Sequence, residues 1–237
     1  MIKICIICFV LITILAHGQN SLSISMPVIY SSVKVKDNWT PSTSPVYQEF
    51  LNGSATGYGA NVTYSFTPFF MNPTKNLKVN VGVGYFNQRF DVKRPFNYSS
   101  PLFLVFYTDY YSYHCLNLLV GINYNYELRK FYLNCGLTYN WLSSFQQVYK
   151  LYTETKQINS LNMDLGNILA LTLGVKKKLT GKFLIGFDVL IPLYTTWRHD
   201  KIFNDDPATF YQPHSSIGAN ISFTYLLKSR LDKQPQP

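Results

Sequence analysis

Apolar and polar residues alternate one by one through most of this chain, and most regularly over residues 116–141. Leu116, Leu118, Val120, Ile122, Tyr124 and Tyr126 share one parity, while Asn117, Gly121, Asn123 and Asn125 take most of the other. A period of two is the signature of a β-strand. After the polar turn Glu127-Leu128-Arg129-Lys130 the pattern restarts, with Phe131, Leu133, Cys135, Leu137, Tyr139 and Trp141 against Tyr132, Asn134, Gly136, Thr138 and Asn140. The two halves predict an antiparallel hairpin. Each arm is close to the ~9–11 tilted residues that carry a β-strand across a bilayer, and long for a soluble strand.

Six more strands follow from the same pattern. Leu22, Ile24, Met26, Val28 and Tyr30 alternate with serines; Tyr58, Ala60, Val62, Tyr64 and Phe66 alternate with Gly59, Asn61, Thr63 and Ser65. Leu77, Val79, Val81, Val83 and Tyr85 lead up to the hairpin. Beyond it come Leu165, Leu169, Leu171, Leu173 and Val175, then Phe183, Ile185, Phe187, Val189, Ile191 and Leu193, then Ile217, Ala219, Ile221, Phe223 and Tyr225. The connections alternate in length. Long ones are expected at 31–56, 88–112, 143–163 and 195–214, and short turns at 72–76, 127–130 and 180–181. All short turns therefore fall at one end and all long loops at the other. This predicts an all-β fold, an eight-stranded antiparallel transmembrane β-barrel with four long external loops and three short periplasmic turns. Pro27 and Pro192 each remove a ladder donor where a closed barrel has no free edge, so a bulge is expected at both.

Alternation alone does not say which face is outside, since a soluble lipocalin-like barrel turns its apolar face inward. Composition decides between the two. Aromatic residues make up 16% of the chain and charged residues only 14%, against about 25% charged in a typical globular domain. The polar parity consists of Ser, Asn, Thr and Gly, with Lys78, Asp164, Lys176 and Asp188 its main charges. These small groups suit a narrow packed lumen, filled by Asn61, Asn80, Asn123, Asn134, Asn140, Tyr132 and Asn220, with no open pore. The aromatic rings collect at strand ends. Phe66, Tyr124, Tyr126, Phe131, Phe183 and Tyr225 lie near the turns, and Tyr30, Tyr58, Tyr85, Tyr139 and Trp141 near the loops, as two interfacial girdles would require.

The formal net charge is +9, and its distribution follows the same map. The turn end and tail hold Lys75, Lys78, Arg129, Lys130, Lys176, Lys177, Lys178, Lys182, Lys228, Arg230 and Lys233 against Glu127 and Asp232. Basicity gathers on the expected periplasmic rim, toward anionic lipid head groups. With no basic recognition helix, nucleic acid is not an expected partner. Lys3, the apolar run 4–16 and the small residues before Gln19 predict a secretory signal over 1–18. The barrel is expected over 19–227 and a polar periplasmic tail over 228–237. Cys115 and Cys135 fall on opposite faces of adjacent strands, so two free thiols are expected.

With eight strands placed, the chain resembles the small eight-stranded outer-membrane β-barrel proteins of the Bacteroidetes type, porin-like and similar in shape to the transmembrane domain of outer membrane protein A. The resemblance covers about residues 20–227. Ser216, Gly218, Ile221 and Phe223 look like the polar-x-Gly-x-x-apolar-x-apolar signal that the barrel-assembly machinery reads on a last strand. The chain departs from it in following that strand with a polar tail instead of a terminal aromatic. The resemblance implies the bacterial outer membrane as location and its lipid as partner. It supplies no wall-binding domain.

Chemistry is sparse. Some small barrels modify lipid A with a His, a Ser and an acid, which brings up His114, His199 and His214, but these show no defining spacing and no catalytic residue is assigned. No cofactor or metal is expected. The remaining signal is the run 101–107 with the tyrosines after it. Phe103, Phe106, Tyr107, Tyr110 and Tyr111 offer either a partner-binding surface or the packing of two strands that continue above the membrane. A structural or partner-binding barrel is the leading expectation, with a small-solute channel or a lipid-modifying enzyme as alternatives.

Overall fold

Alternating side chains build nine strands in the computed structural model, which describes residues 16–36, 52–68, 76–95, 106–150, 155–159, 162–197 and 210–227. The strands are β1 (Ala16–Lys36), β2 (Asn52–Pro68), β3 (Leu77–Pro95), β4 (Phe106–Leu128), β5 (Phe131–Lys150), β6 (Thr155–Ile158), β7 (Asn162–Lys178), β8 (Phe183–Trp197) and β9 (Phe210–Leu226). Every pairing is antiparallel, and β4 pairing with β5 and β9 with β1 closes a ring of eight. The short β6 lies outside the ring and pairs only with β5, through Lys150↔Thr155 to Gln147↔Ile158. Residues 1–15 of the signal expected over 1–18, the expected tail at 228–237, Phe103, His199 and His214 lie outside the described backbone or side chains.

The predicted faces hold. On β4, Leu116, Leu118, Val120, Ile122, Tyr124 and Tyr126 all point outward and are exposed, while Cys115 and Asn117 point inward and are buried. The same belt runs round the ring through Ile24, Val28, Val62, Val83, Leu133, Leu137, Leu173, Phe187, Ile221 and Phe223. From Leu116 to Tyr126 there are ten steps of ~3.3 Å, which at a tilt near 40° stand about 25 Å high, the thickness of an outer-membrane apolar band. A belt this tall and continuous in water would be strongly unfavourable. In lipid it needs no cover, and the closed ring leaves no strand edge there. Cys135 sits on the belt and Cys115 inside, both as free thiols. The girdle residues Tyr30, Tyr58, Tyr85, Tyr124, Tyr126, Tyr139, Phe131 and Phe183 are exposed as expected. Phe66 departs from this: it stacks on Tyr64 with ring centroids 5.7 Å apart and is buried.

The strands are longer than the alternation marked. β3 runs to Pro95 and β4 starts at Phe106, so most of the expected loop 88–112 is a ribbon paired from Phe86↔Cys115 to Pro95↔Phe106. β5 likewise continues to Lys150, and β6 folds back on it. The reason is a change of parity. Below Tyr85 the apolar residues of β3 are odd-numbered and face lipid. Above it Phe86 and Phe90 are even-numbered, face inward and are buried, whereas Arg89 faces outward and is exposed. A membrane barrel with a polar inside thus continues as a soluble-type barrel with an apolar inside, and the switch marks where lipid gives way to water.

Other details adjust the expectation. The hairpin turn is the pair Arg129-Lys130, because Glu127 and Leu128 still pair within the ladder. Pro192 does sit beside a bulge: Ala170 pairs with Pro192 and Leu169 with Tyr194, which leaves Leu193 extra. Pro27 has none, since Ser25↔Asn61 and Val28↔Tyr58 keep one register across it and the ladder to β2 skips Met26 and Pro27.

Candidate functional site

The lumen divides into a polar half toward the turns and an apolar half toward the loops. In the polar half Asp188, buried at 3% exposure, accepts hydrogen bonds from Asn134 Nδ2 (2.9 Å, on Oδ1) and Asn220 Nδ2 (3.2 Å, on Oδ2). Asn117 Nδ2 donates to Asn61 Oδ1 at 2.9 Å and to Asn140 Oδ1 at 3.1 Å. Glycines face these side chains across the ladder and leave the space they occupy. A Cβ on Gly174 would collide with Asp188 and one on Gly84 with Asn61. A cavity of about 100 Å³ lies among these groups, and a second of about 200 Å³ lies nearer the turns. Ser65, Asn80, Asn123 and Lys176 line both. Cavities so rich in amide and hydroxyl groups are suited to water.

Two lysines counted on the turn-end rim belong here. Lys78 points into the lumen, where its Nζ donates to Thr67 Oγ1 at 2.8 Å. Lys176 lines both cavities close to Asp188. Their inward parity, already visible in the sequence, outweighs their nearness to the turn. Arg129, Lys130, Lys177, Lys178 and Lys182 remain exposed at the turn end.

The loop half is packed. Ile29, Ala55, Phe86, Phe90, Tyr111, Tyr113, Cys115, Leu142, Ile168 and Ala170 form one buried cluster with Leu190 against it. Phe90 meets Tyr113 edge-on at 5.8 Å, and Phe86 lies over Gly57, where any Cβ would strike its ring. The smaller cavity ends against Phe86, Leu142, Ile168 and Leu190. Alternation counts did not identify this cluster because its members share a parity with Asn and Gly lower down the same strands. The parity change after Tyr85 was the available signal.

The candidate residues of the second loop separate. Tyr111 faces inward and is 2% exposed, so it belongs to the packed cluster. Tyr110 faces out, half-buried, with the Arg89 guanidinium 4.4 Å above its ring. Phe106 and Tyr107 are in β4, paired with Pro95 and Arg94, and their side chains are not among those described. Ser216, Gly218, Ile221 and Phe223 lie together on β9: Ile221 and Phe223 join the belt, Ser216 Oγ donates to Ser31 Oγ at 2.7 Å, and Gly218 packs on Ile29. His114 caps the belt's upper edge on the outside. Its Nδ1 is 2.6 Å from Tyr85 Oη and 3.2 Å from Asn87 Nδ2, and Ser112 Oγ bonds Asn87, not the imidazole. No metal-holding group of acidic, His or Cys side chains occurs among the described residues.

A closed ring of eight antiparallel strands with lipid-facing apolar residues outside and a polar, largely filled lumen defines an outer-membrane β-barrel. Solved structures agree. The outer membrane protein OprG of Pseudomonas aeruginosa covers 90% of this chain and 98% of its own at a TM-score of 0.51 and 12% identity. Neisserial surface protein A matches 87% of the chain and 96% of its own length at 0.37 and 11%, and the attachment invasion locus protein Ail of Yersinia pestis matches 89% and 99% at 0.33 and 11%. Identities this low speak to fold alone, and OprG carries that comparison. No protein-family model matches the sequence, and comparison with curated proteins finds no match.

Proposed function

We propose that this outer-membrane barrel is closed to solute flow and acts as a structural or partner-binding protein through the sheet that β3, β4, β5 and β6 raise above the membrane. The observation that carries this reading is the packed apolar cluster across the loop half of the lumen, centred on Phe86, Phe90, Tyr113 and Leu142. An apolar constriction filled by side chains excludes water and ions. The raised sheet, with Arg89, Tyr110, Gln146 and Gln157 on its outer side, is the part available to an external protein. The arrangement at His114 favours a non-enzymatic role, since the Ser112 hydroxyl bonds Asn87 and not the imidazole, whose hydroxyl neighbour is the Tyr85 phenol of the aromatic girdle. Ser216, Gly218, Ile221 and Phe223 serve, in this reading, as the strand presented to the barrel-assembly machinery, and the resemblance to Bacteroidetes-type barrels belongs to the same proposal.

The deciding experiment is conductance in planar bilayers, with heat-modifiable gel migration as proof of a folded barrel. The expected result is a folded protein that gives no steady single-channel current. A stable, ion-selective current from the unaltered protein would favour the small-solute channel instead.

A further inference from the structure

The larger of the two lumen cavities, about 200 Å³, opens at the turn end, where Asn76, Leu226 and the exposed Glu127 carry its lining to the rim. That volume holds several waters or one small solute. Lys78 and Lys176 enter it from different walls. Lys78 is on β3, paired with Asn123 of β4, and Lys176 is on β7, paired with Tyr132 of β5. Two strands separate the lysines round the ring, yet both side chains border one space.

The polar groups turned toward this space are largely donors. Lys78 Nζ gives one hydrogen to Thr67 Oγ1 at 2.8 Å, and an ammonium carries three. Lys176 makes neither a hydrogen bond nor an ion pair among the described residues. Asn123 and Asn125 bury their amide oxygens in the wall, that of Asn123 over Gly136, which leaves the amide nitrogens as the ends that face the cavity. Asn80, only 5% exposed, lines it with no side-chain hydrogen bond among the described residues. The two carboxylates at hand are committed. Glu127 Oε1 accepts from Tyr132 Oη at 3.0 Å. Asp188, the opposite charge near Lys176, lines the neighbouring cavity and has an amide donor on each oxygen. The charges that line the turn-end space are therefore Lys78 and Lys176 against Glu127 alone. An ammonium without a partner is costly to hold away from bulk water, and a bound anion offsets that cost.

We propose that the turn-end cavity binds a small oxyanion, a carboxylate or phosphate group, between Lys78 and Lys176, with the amides of Asn123 and Asn125 as further donors. Charge-assisted hydrogen bonds from two opposed ammonium groups hold it, and the surrounding neutral side chains limit its size. The site is confined to the turn-end half of the lumen and is independent of whether the packed half conducts.

The test uses the full barrel in neutral detergent at constant ionic strength in chloride, titrated with inorganic phosphate and, separately, with acetate. The Nζ resonances of isotope-labelled lysines are followed. The signals of Lys78 and Lys176 are expected to move together and to saturate with at least one of the two anions, while the exposed Lys177 and Lys178 move little and without saturation. Lys176→Met and Lys78→Met should each weaken binding at least about tenfold, the scale of one charge-assisted hydrogen bond, and Lys177→Met should leave it unchanged. Stability gives a second readout: the urea midpoint of the unaltered barrel rises with the bound anion, and that of Lys176→Met does not. The absence of a saturable shift at Lys176 with either anion, or equal shifts at Lys176 and Lys177, overturns the site. So does unchanged binding by a folded Lys176→Met variant. Should a variant lose its heat-modifiable migration, the lysine signals of the unaltered barrel decide alone.

Discussion

Asp188 is the charge most deeply committed to the fold, with two amide donors and Lys176 nearby in a lumen of neutral side chains. Replacing it by Ala leaves Asn134 and Asn220 without their acceptor and Lys176 without its counter-charge. A loss of about 3 kcal/mol is expected from urea unfolding in lipid vesicles, within the range for breaking one side of a buried charged network. Asp188→Asn should cost less, because an amide oxygen still accepts one bond. At the other extreme is Arg129, whose φ of 50° is the only positive value at a non-glycine residue among those described. It is the first of two turn residues in the β4–β5 hairpin, where glycine is preferred. Arg129→Gly is expected to stabilise the barrel by about 1 kcal/mol, the strain of a left-handed side-chain-bearing residue, read as a higher urea midpoint with unchanged slope.

At the level of the elements, the β3–β4 ribbon joins two environments. Tyr110 and Tyr111 are neighbours in sequence and opposites in the fold, the first outside over Arg89 and the second buried. Tyr111→Ser should cost about 3–4 kcal/mol through a cavity in the packed half. Tyr110→Ser should cost under about 1 kcal/mol, since it forfeits mainly an exposed cation–π contact. Equal effects in thermal unfolding would mean that the ribbon is not sided in this way. Alternation predicts shorter strands than the structure has for the same reason. A count of apolar residues at one parity stops at Tyr85, where the apolar set passes to Phe86 and Phe90, although the strand continues to Pro95.

For the whole molecule, the proposed closure of the lumen rests on a few large side chains. Phe86→Ala, Phe90→Ala and Tyr113→Ala together remove the rings that end the inner cavity and cap it above. The triple variant is expected to conduct ions in planar bilayers where the unaltered barrel does not, provided its gel migration still shifts on heating. A folded triple variant that stays silent would place the barrier elsewhere, in the Ile29, Leu142 and Ile168 layer.

The alternation of residues by itself determined the eight barrel strands, their antiparallel order and the opposed thiols of Cys115 and Cys135, because a period of two assigns each side chain a face, and only together with the composition did it determine which face meets lipid. It also placed Lys78 and Lys176 on the inner parity, although their charge suggested the rim. Only the tertiary structure decided which residues meet across the ring. Asp188 with Asn134 lies 54 positions away and Asn61 with Asn117 lies 56, and no local pattern carries such a pairing. The structure also showed that the outer half of the lumen is apolar and that His114 belongs with Tyr85, Asn87 and Ser112. These are consequences of register, which is set when the sheet closes and each strand is held by both neighbours at once.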